Sequence, residues 1–464
     1  MKKIIYLGLF ALVASAGCRK IEVDGPVVTN PNPDPGTPEN AILEGRITEN
    51  RTLKANTVYK LRGLVYVTNG AVLTIEPGTK IVGEKGKNGG LIITRSTKII
   101  AEGTPEKPII FTSEEATPQR GDWAGVVILG NAPTNATFNG QVGIGEIEGG
   151  INNSDGLGLY GLGASSNPAD NSGILKYVRI EYAGYAFLPD KEINSLTLGG
   201  VGNATVIDHV QVSYANDDAF EFFGGTVNAS HLIAYNTLDD DFDTDNGYSG
   251  KIQFGIVLRD SAIADISKVE AFESDNDANG SQLLPQTKAI FSNMTVVGPQ
   301  ATATNVGNSL YNAAAQIRRN SATSIFNSIL IGWPVGLLID ASKGHPTDSN
   351  IPGSLFFQNN IIGGNKVPVK YAASTTSPTG ATSASILDWV NTEAYGNTIL
   401  ETTADVKLNA AFDYKSPDFS PESGSPALTG ASFANTLLKD GFVPVNYRGA
   451  VGPNDTWYKG WTKF

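Results

Sequence analysis

Short runs of β-branched residues, separated by glycine, asparagine and aspartate, follow the chain from Ala41 to about residue 380. Residues 65–83 (VYVTNGAVLTIEPGTKIVG) and 91–113 (LIITRSTKIIAEGTPEKPIIFTS) alternate apolar and polar positions between such turn residues. Period-two runs of this kind predict β-strands, and helical spacing is scarce before residue 380. The pattern therefore predicts an all-β protein built from many short strands.

A repeat indicates how these strands are arranged. Residues 209–225 (HVQVSYANDDAFEFFGG) align with residues 231–247 (HLIAYNTLDDDFDTDNG) at an offset of 22 residues. A repeat that cannot bury its apolar face alone must stack on its neighbours. We therefore expect a right-handed parallel β-helix, a solenoid, from about residue 45 to 370. Two sandwich domains are the alternative, but tight hairpin signals are too few to favour them.

The repeat also predicts which residues are neighbours. One coil per repeat places equivalent residues side by side, at the spacing of adjacent strands. The pairs expected from this register are Asp217 with Asp239, Asp218 with Asp240, Phe220 with Phe242, and His209 with His231.

The start of the chain differs from the repetitive part. Residues 1–17 combine two lysines, an apolar run and small residues before Cys18, the order of a lipoprotein signal peptide. Ser15 stands where a leucine is usual, and an ordinary signal peptide with an incidental cysteine is the alternative. Residues 18–40, the lipidated cysteine and a proline-rich tether, have little to bury. We expect Cys18 to carry the lipid anchor.

The remaining chain divides into a β-helix over 41–380 and a C-terminal part over 381–464. Within the C-terminal part, residues 383–398 (SASILDWVNTEAYGNT) predict a short helix. Residues 446–464 (NYRGAVGPNDTWYKGWTKF) are aromatic and turn-rich. A solenoid leaves its last coil edge unpaired, so we expect this aromatic segment to cap that edge.

Composition narrows the possible functions. The formal charge of −12 argues against nucleic acid and against electrostatic capture by anionic lipid. The single cysteine excludes internal disulfides. Nucleophile-elbow, phosphate-loop and dinucleotide-binding motifs are absent from the sequence. No residue is therefore assigned a catalytic role.

Acidic residues are concentrated between Asp217 and Asp277, where fourteen carboxylates accompany three basic residues. Carboxylates stacked on adjacent coils, about 4.8 Å apart, repel by roughly 3–4 kcal/mol at an effective dielectric constant of about 20. A divalent cation reverses this repulsion, and oxygen ligands favour Ca²⁺. A solvated acidic face and a catalytic carboxylate group are the alternatives. The expected calcium ligands are Asp217, Asp218, Glu221, Asp239, Asp240, Asp241, Asp243 and Asp245.

Aromatic and charged residues near the acids are candidates for binding a sugar ligand. A zinc pair of His209 and His231 is less favoured, because the only other histidine is the remote His345. Arg318 and Arg319 could serve such a ligand, but an arginine pair beside a coil more often forms surface salt bridges. The candidate ligand-binding residues are Phe222, Phe223, Tyr248, Glu273, Asp275, Asp277, Arg318 and Arg319.

Several phrases along the chain are distinctive of a family. GDWAGVVILG, LKYVRIEYAG, DDAFEFFGGTVN, DDDFDTDNGYSGKIQFGIVLRD and the closing YRGAVGP with GWTKF resemble an uncharacterised family of Bacteroidetes β-helical outer-membrane lipoproteins. Genes of that family often lie near those of TonB-dependent transporters. The resemblance covers about residues 40–464 and implies a parallel β-helix at the outer membrane. It carries no catalytic signature.

These observations favour a lipid-anchored outer-membrane protein at the cell surface, with the periplasmic face as the alternative. It would bind a glycan or another nutrient ligand, as an accessory to a TonB-dependent transporter. A polysaccharide lyase or hydrolase is one alternative, and a structural or adhesive solenoid is another. A lyase should show a basic residue facing the acids across a groove, whereas a structural rod should show no groove.

Overall fold

The computed structural model describes residues 41–188, 191–300 and 307–464. The expected signal peptide (1–17) and tether (18–40), with Cys18, lie outside the described residues. Regular structure in the described chain is almost entirely β, and 26 strands join in one continuous parallel arrangement. No helix among these residues is long and apolar enough to cross a membrane.

Each complete coil contributes strands to three sheets that run along the solenoid, and long strands bend at a corner and serve two sheets. Sheet 1 contains Lys80–Gly83, Ile109–Ser113, Ile329–Ile331, Ile361–Gly363 and Thr398–Leu400. Sheet 2 contains Gly90–Ile93, Gly125–Leu129, Leu196–Gly199, Phe220–Phe223, Phe242–Asp245, Val269–Ser274, Tyr311–Arg318, Val335–Asp340 and Val367–Ala372. Sheet 3 contains Arg51–Leu53, Val72–Ile75, Lys98–Glu102, Ser324–Phe326 and Phe357–Gln358.

The long strands connect these sheets in a fixed order along the chain. Ala41–Ile47 and Val58–Val67 pass from sheet 1 into sheet 2. The strands that pass from sheet 3 into sheet 1 are Gly173–Glu181, Val206–Ser213, Ala229–Tyr235, Lys251–Leu258 and Ile290–Val297. Sheets 3, 1 and 2 therefore recur in that order, which is the parallel β-helix expected from the repeat.

The bend inside these long strands falls on a residue with positive φ. His209 has a φ of 53° and His231 one of 55°, and Tyr177 and Phe254 occupy the same corner in neighbouring coils. A single left-handed residue turns the chain sharply without an inserted loop. The corner therefore repeats as one column of side chains along the outside of the solenoid.

The predicted register is confirmed. Phe220 pairs with Phe242 and Glu221 with Asp243 in adjacent strands of sheet 2. The two phenylalanine rings stack inside the coil with centroids 5.2 Å apart. His209 and His231 stack outside it at 4.2 Å, as expected of equivalent residues in consecutive coils. The core is the lumen of the coil, filled by inward-facing apolar residues from all three sheets.

The C-terminal end of the lumen is closed by the predicted helix, Ser383–Val390. Thr382 caps this helix by accepting a hydrogen bond from the Ser385 amide, and Ile386 and Val390 are buried against the core. Because the helix covers the lumen, the aromatic segment is not needed there. Residues 446–464 pack on the flank of earlier coils and not over this end of the lumen, so the expectation of an aromatic cap there is wrong.

The aromatic segment instead runs back along the flank of earlier coils. Trp457 packs edge-on against His231, with ring centroids 4.9 Å apart, and Trp461 packs against Tyr177 at 5.7 Å. The Gln211 side-chain amide donates to the Lys463 carbonyl at 2.8 Å. The corner column of aromatic and histidine rings thus provides the surface on which the two tryptophans pack.

Residues 130–172, here called the excursion, leave the coil between two strands and lie on the outer face of sheet 2. Ile147, Ile151 and Tyr160 of the excursion form one apolar cluster with outward residues of the early coils, including Tyr66 and Leu129. The excursion contains the short hairpins Thr137–Phe138 with Gln141–Val142 and Gly145–Glu146 with Leu159–Tyr160. Further short antiparallel pairs are Ala186–Leu188 with Lys191–Glu192 and Leu408–Ala410 with Asp418–Pro421.

Candidate functional site

Six carboxyl groups lie together on sheet 2, immediately beyond the excursion. They come from three consecutive coils, and each coil supplies two acids three residues apart on either side of an inward phenylalanine such as Phe220. We call this group the acid plate. Its members are Asp218, Glu221, Asp240, Asp243, Glu270 and Glu273.

Backbone amides hold one column of the acid plate in place. The Asp240 amide donates to Oδ1 of Asp218 at 2.8 Å, and the Glu270 amide donates to Oδ1 of Asp240 at 2.6 Å. Asn194 begins the column by accepting from the Asp218 amide at 3.0 Å. Each side chain thus binds the backbone of the next coil, so the positions of these acids are fixed by the register.

The carboxylates form three sets, and the oxygens within each set lie within 4.8 Å of one another. They bring together six of the eight predicted calcium ligands and two further glutamates. The sets are Asp217, Asp218 and Asp239; Asp218, Glu221 and Asp243; and Asp240, Glu270 and Glu273.

Asp241 does not belong to any of these sets, although the sequence predicted it as a calcium ligand. It points into the lumen and is fully buried beside the equally buried Arg259, with 2.9 Å between Nη1 and Oδ1. Burial raises the pKa of Asp241 to about 6, against the opposing effect of Arg259. The same Nη1 also donates to the Asp239 carbonyl at 2.7 Å, so the pair supports the acid plate from inside.

Asp245 also lies outside the three sets. It is two residues beyond Asp243 on the same outward face, and burial together with the nearby Asp275 raises its pKa well above the ordinary value. Its carboxylate accepts a hydrogen bond from the Asn246 side chain at 3.1 Å. Asp245 therefore adds negative charge to the plate from its edge.

The acid plate is not a solvated acidic face. Asp218, Glu221 and Asp240 are only 7%, 4% and 5% exposed. Burial, followed by neighbouring carboxylates, raises the pKa of each of them well above the ordinary value. The same causes raise the pKa of Asp243 to about 8. The plate therefore needs protons or a cation to offset its charge.

The oxygen atoms around Asp243 fit a divalent cation. Oδ1 of Asp243 is buried and has no hydrogen-bond partner among the described residues. The same holds for Oγ1 of Thr197, whose position is in register with Glu221 on the same face. Carboxylate and hydroxyl oxygens are the ligands that Ca²⁺ prefers. Asp218, Glu221 and Asp243, with Thr197 beside them, are the residues that could hold it.

A cleft of about 270 Å³ opens beside the acid plate on the outer face of sheet 2. Its lining is charged with both signs, whereas the chain as a whole is acidic. The lining residues are Ser267, Lys268, Glu270, Glu273, Asn312, Gln316, Arg318, Arg319, Asp340, Ser342 and Lys343. A groove with basic residues facing the acids is thus present, as a ligand-binding protein or a lyase requires.

The two arginines of the cleft are salt-bridged. Arg318 Nε lies 2.8 Å from Oδ1 of Asp275, and its Nη2 also contacts Glu273. Arg319 pairs with Asp275 as well. Burial alone would lower the pKa of Arg318, but Glu273 and Asp275 raise it instead. Arg318 therefore stays protonated and acts as a fixed positive charge.

The prediction of two ligand-binding residues is wrong. Phe222 and Tyr248 are fully buried inside the lumen, where their rings stack with centroids 4.6 Å apart. The Tyr248 hydroxyl donates to the Val227 carbonyl, which satisfies its only polar group. Phe222 falls on the inward side of its strand, and Tyr248 turns inward from the following loop, so neither can contact a ligand.

The other predicted ligand-binding residues lie in or around the cleft. Glu273, Arg318 and Arg319 line it, and Asp275 holds the arginines. Phe223 faces outward but stacks on Tyr160 of the excursion, with centroids 6.0 Å apart. Asp277 accepts hydrogen bonds from the Asn279 and Ser281 amides and shapes its own loop. Lys268, Glu270, Asn312, Gln316 and Lys343 were not predicted.

The histidine pair has a structural role. Oδ1 of Asp208 lies 2.9 Å from Nδ1 of His209 and 2.8 Å from Nδ1 of His231. The rings are stacked, and both Nδ1 atoms approach the same carboxylate oxygen. The ligand atoms of Asp208, His209 and His231 lie within 4.8 Å of one another, so these three residues are a further group that could hold a metal ion. Both histidines lower the pKa of Asp208 against the opposing effect of burial. The stack, covered by Trp457, joins the C-terminal segment to the coil.

Comparison with protein families supports the observed fold. Residues 45–407, more than half of the chain, match the family model described as "Pectate-lyase like beta helix domain". No curated protein matches the chain. The match agrees with the parallel coil seen here and supports a β-helix protein related to polysaccharides.

Proposed function

The chain belongs to the family of pectate-lyase-like β-helix domains, and from this membership we propose that it binds an acidic polysaccharide in the cleft. The observation that carries the proposal is the group of basic residues that lines the cleft beside the acid plate. Lys268 and Lys343 are exposed and make no ion pair within the described residues. Arg319 is only partly covered, with 26% of its side chain exposed. These three cations suit the carboxylates of a uronate polymer.

Calcium is part of the same proposal. Asp218, Glu221 and Asp243 would hold the ion, whose charge would replace the protons that the buried carboxyl groups otherwise need. The acids in turn fix the floor of the cleft, because Glu270 and Glu273 belong to both the plate and the cleft lining.

Titration with polygalacturonate (pectate), in Ca²⁺ and in EDTA, tests the proposal. We expect saturable binding that Lys343→Ala weakens by about tenfold, the loss of one charge-assisted contact. Lys80→Ala is the matched control, because Lys80 is an exposed lysine in sheet 1, away from the cleft. Equal binding by both variants and the unchanged protein would contradict the assignment of the cleft.

A polysaccharide lyase or hydrolase is the second candidate. Glu273 favours it, because burial raises the pKa of this cleft residue well above the ordinary value against the opposing effect of Arg318, and a protonated carboxyl group can act as a general acid. A lyase is disfavoured because Arg318 is protonated and so cannot act as the base of an elimination. Incubation with polygalacturonate should leave the polymer length unchanged. Shortening of the polymer by the unchanged protein, abolished in Glu273→Gln, would instead establish an enzyme.

We also propose that the protein is anchored to the outer membrane by lipid on Cys18 and serves a TonB-dependent transporter. The order of lysines, apolar residues and small residues before Cys18 supports the anchor. The resemblance to Bacteroidetes surface lipoproteins supports the partner. Replacing Cys18 with Ser should release the protein from membranes in cell fractionation. Unchanged recovery of Cys18→Ser with the outer membrane would exclude the anchor.

A further inference from the structure

The outer face of sheet 2 changes from covered to open along the solenoid. In the early coils its outward residues are buried, with Val127 1%, Thr197 1% and Glu221 4% exposed. From the coil of Glu273 onward the same face lines the cleft. The boundary between the two parts runs through the acid plate.

The excursion forms the cover at this boundary. A Cβ atom at Gly199 would lie 2.9 Å from Ile147 and 3.0 Å from Tyr160, so the excursion rests directly on the sheet. Tyr160 extends the cover by one coil through its stack on Phe223. The early part of the face therefore has no room for a sugar.

The excursion is also tied to the loop on the far side of the plate. The Asn135 side-chain amide donates to the Asn276 carbonyl at 2.8 Å and to the Pro285 carbonyl at 3.0 Å. Thr134 donates to the Asn246 carbonyl at 2.8 Å. These contacts span several coils and fix the excursion over the coils that precede the cleft.

The loops that follow sheet 2 close one long side of the cleft. The His345 amide donates to the Gly280 carbonyl at 2.7 Å, so the loops after Ser274 and after Asp340 meet. On the opposite side, Ser267 donates to Oδ2 of Asp239 at 2.8 Å and holds the loop before Val269 against the plate. A loop therefore borders the cleft on each side, and the excursion covers sheet 2 in the coils before the cleft.

We propose that the cleft receives the end of a polysaccharide chain, and not an interior segment. This inference rests on the proposed function, because it specifies how the same ligand enters the same site. An interior segment needs free passage in both directions along the face, and the excursion blocks one direction. The terminal sugar would then lie against Glu273 and Arg318, with the following sugars passing Arg319 and Lys343.

End-modified oligosaccharides test the inference. The probes are a galacturonate hexamer, the same hexamer with its reducing end reduced to the alditol, and the hexamer with an unsaturated non-reducing end. We expect one of the two modifications to lower the affinity by at least about tenfold and the other to have little effect. Equal affinity for all three hexamers would overturn the proposal.

The stoichiometry on long polygalacturonate provides the second measurement. Chain-end binding predicts one bound protein per polymer molecule in sedimentation, whatever the polymer length. Several bound proteins per molecule would overturn the inference while leaving polysaccharide binding intact. Failure of hexamers and polymer alike to bind would overturn the proposed function and this inference together.

Discussion

Asp241 and Asp243 are two residues apart in one coil, yet their carboxylates lie in different environments. Asp241 points into the lumen, where Arg259 supplies a partner that is equally buried. Asp243 points out of sheet 2, and one of its buried oxygens has no partner among the described residues. Inside the coil, the charge of Asp241 is therefore met by the protein's own Arg259, although Oδ2 of Asp241 also has no hydrogen-bond partner among the described residues. The outer face at the acid plate requires protons, a cation or a ligand.

The largest change in the free energy of unfolding is expected from removing Arg259, the interior partner of Asp241. Arg259→Met leaves Asp241 as an uncompensated buried carboxylate, which should lower the free energy of unfolding by about 3–5 kcal/mol. Chemical denaturation measures the change. The double variant Arg259→Met with Asp241→Leu should recover much of the loss, because an apolar pair needs no counter-charge. A loss of less than about 1 kcal/mol in the single variant would show that the pair is not essential.

Supplying a cation tests the outer face. Ca²⁺ at 100 times its dissociation constant should add about 2.7 kcal/mol to the free energy of unfolding, since it binds only the folded plate. The midpoint of thermal unfolding, compared between excess Ca²⁺ and EDTA, measures this gain. Asp243→Asn should lose most of the gain, and the control Asp388→Asn, on the exposed side of the helix, should keep it. Identical midpoints in both buffers would rule out the calcium site.

Without a cation, the stability of the fold should depend on pH, because protons then neutralise the buried carboxyl groups. Burial raises the pKa of Asp239 to about 7 and that of Asp243 to about 8, above the unfolded value near 4. The folded state then holds protons that the unfolded state releases, so stability present at about pH 4 is lost as the pH rises through 7 and 8. In EDTA the unfolding midpoint should fall by a few degrees between about pH 5 and pH 9. A midpoint that rises over this range would contradict the assignment.

The smallest effect concerns two adjacent phenylalanines that face opposite sides of sheet 2. Phe222→Leu should lower the free energy of unfolding by about 1 kcal/mol, because it loses the stack on Tyr248 in the lumen. It should leave binding of polygalacturonate unchanged. Phe223→Leu is the matched variant on the outer face, where a change in binding is expected through Tyr160 of the excursion. A binding defect in Phe222→Leu alone would reverse this distinction.

The sequence was sufficient for the register of the coil. The repeat at 22 residues predicted the stacks of Phe220 on Phe242 and of His209 on His231, because one coil per repeat leaves no other arrangement. The inward position of Asp241 could not be predicted in the same way. It lies in the turn just before a strand, where the alternation of inward and outward residues is interrupted.

The acid plate was predicted only in part. Glu270 and Glu273 flank Phe272 as Asp218 and Glu221 flank Phe220, but the step from Asp240 to Glu270 is 30 residues. Residues 268–277 (KVEAFESDND) therefore resemble the repeat only weakly, and Glu270 and Glu273 were not predicted as calcium ligands. The cover over the early coils was not predictable from periodicity, because it joins Asn135 to Asn276 and Pro285, far apart in the chain.

The column of left-handed corner residues has a consequence for how such a protein can change. His209, His231, Phe254 and Asn293 occupy this corner at intervals of 22, 23 and 39 residues, so coils of unequal length return to the same point. The extra residues of the longest interval lie in the loops on either side of Val269–Ser274, which border the cleft. Insertions and deletions in these loops can therefore reshape the binding surface without shifting a single strand. The strands of the solenoid can therefore stay the same while the loops that bind the ligand vary. Exchange of these loops between relatives should transfer ligand specificity and leave the coil intact.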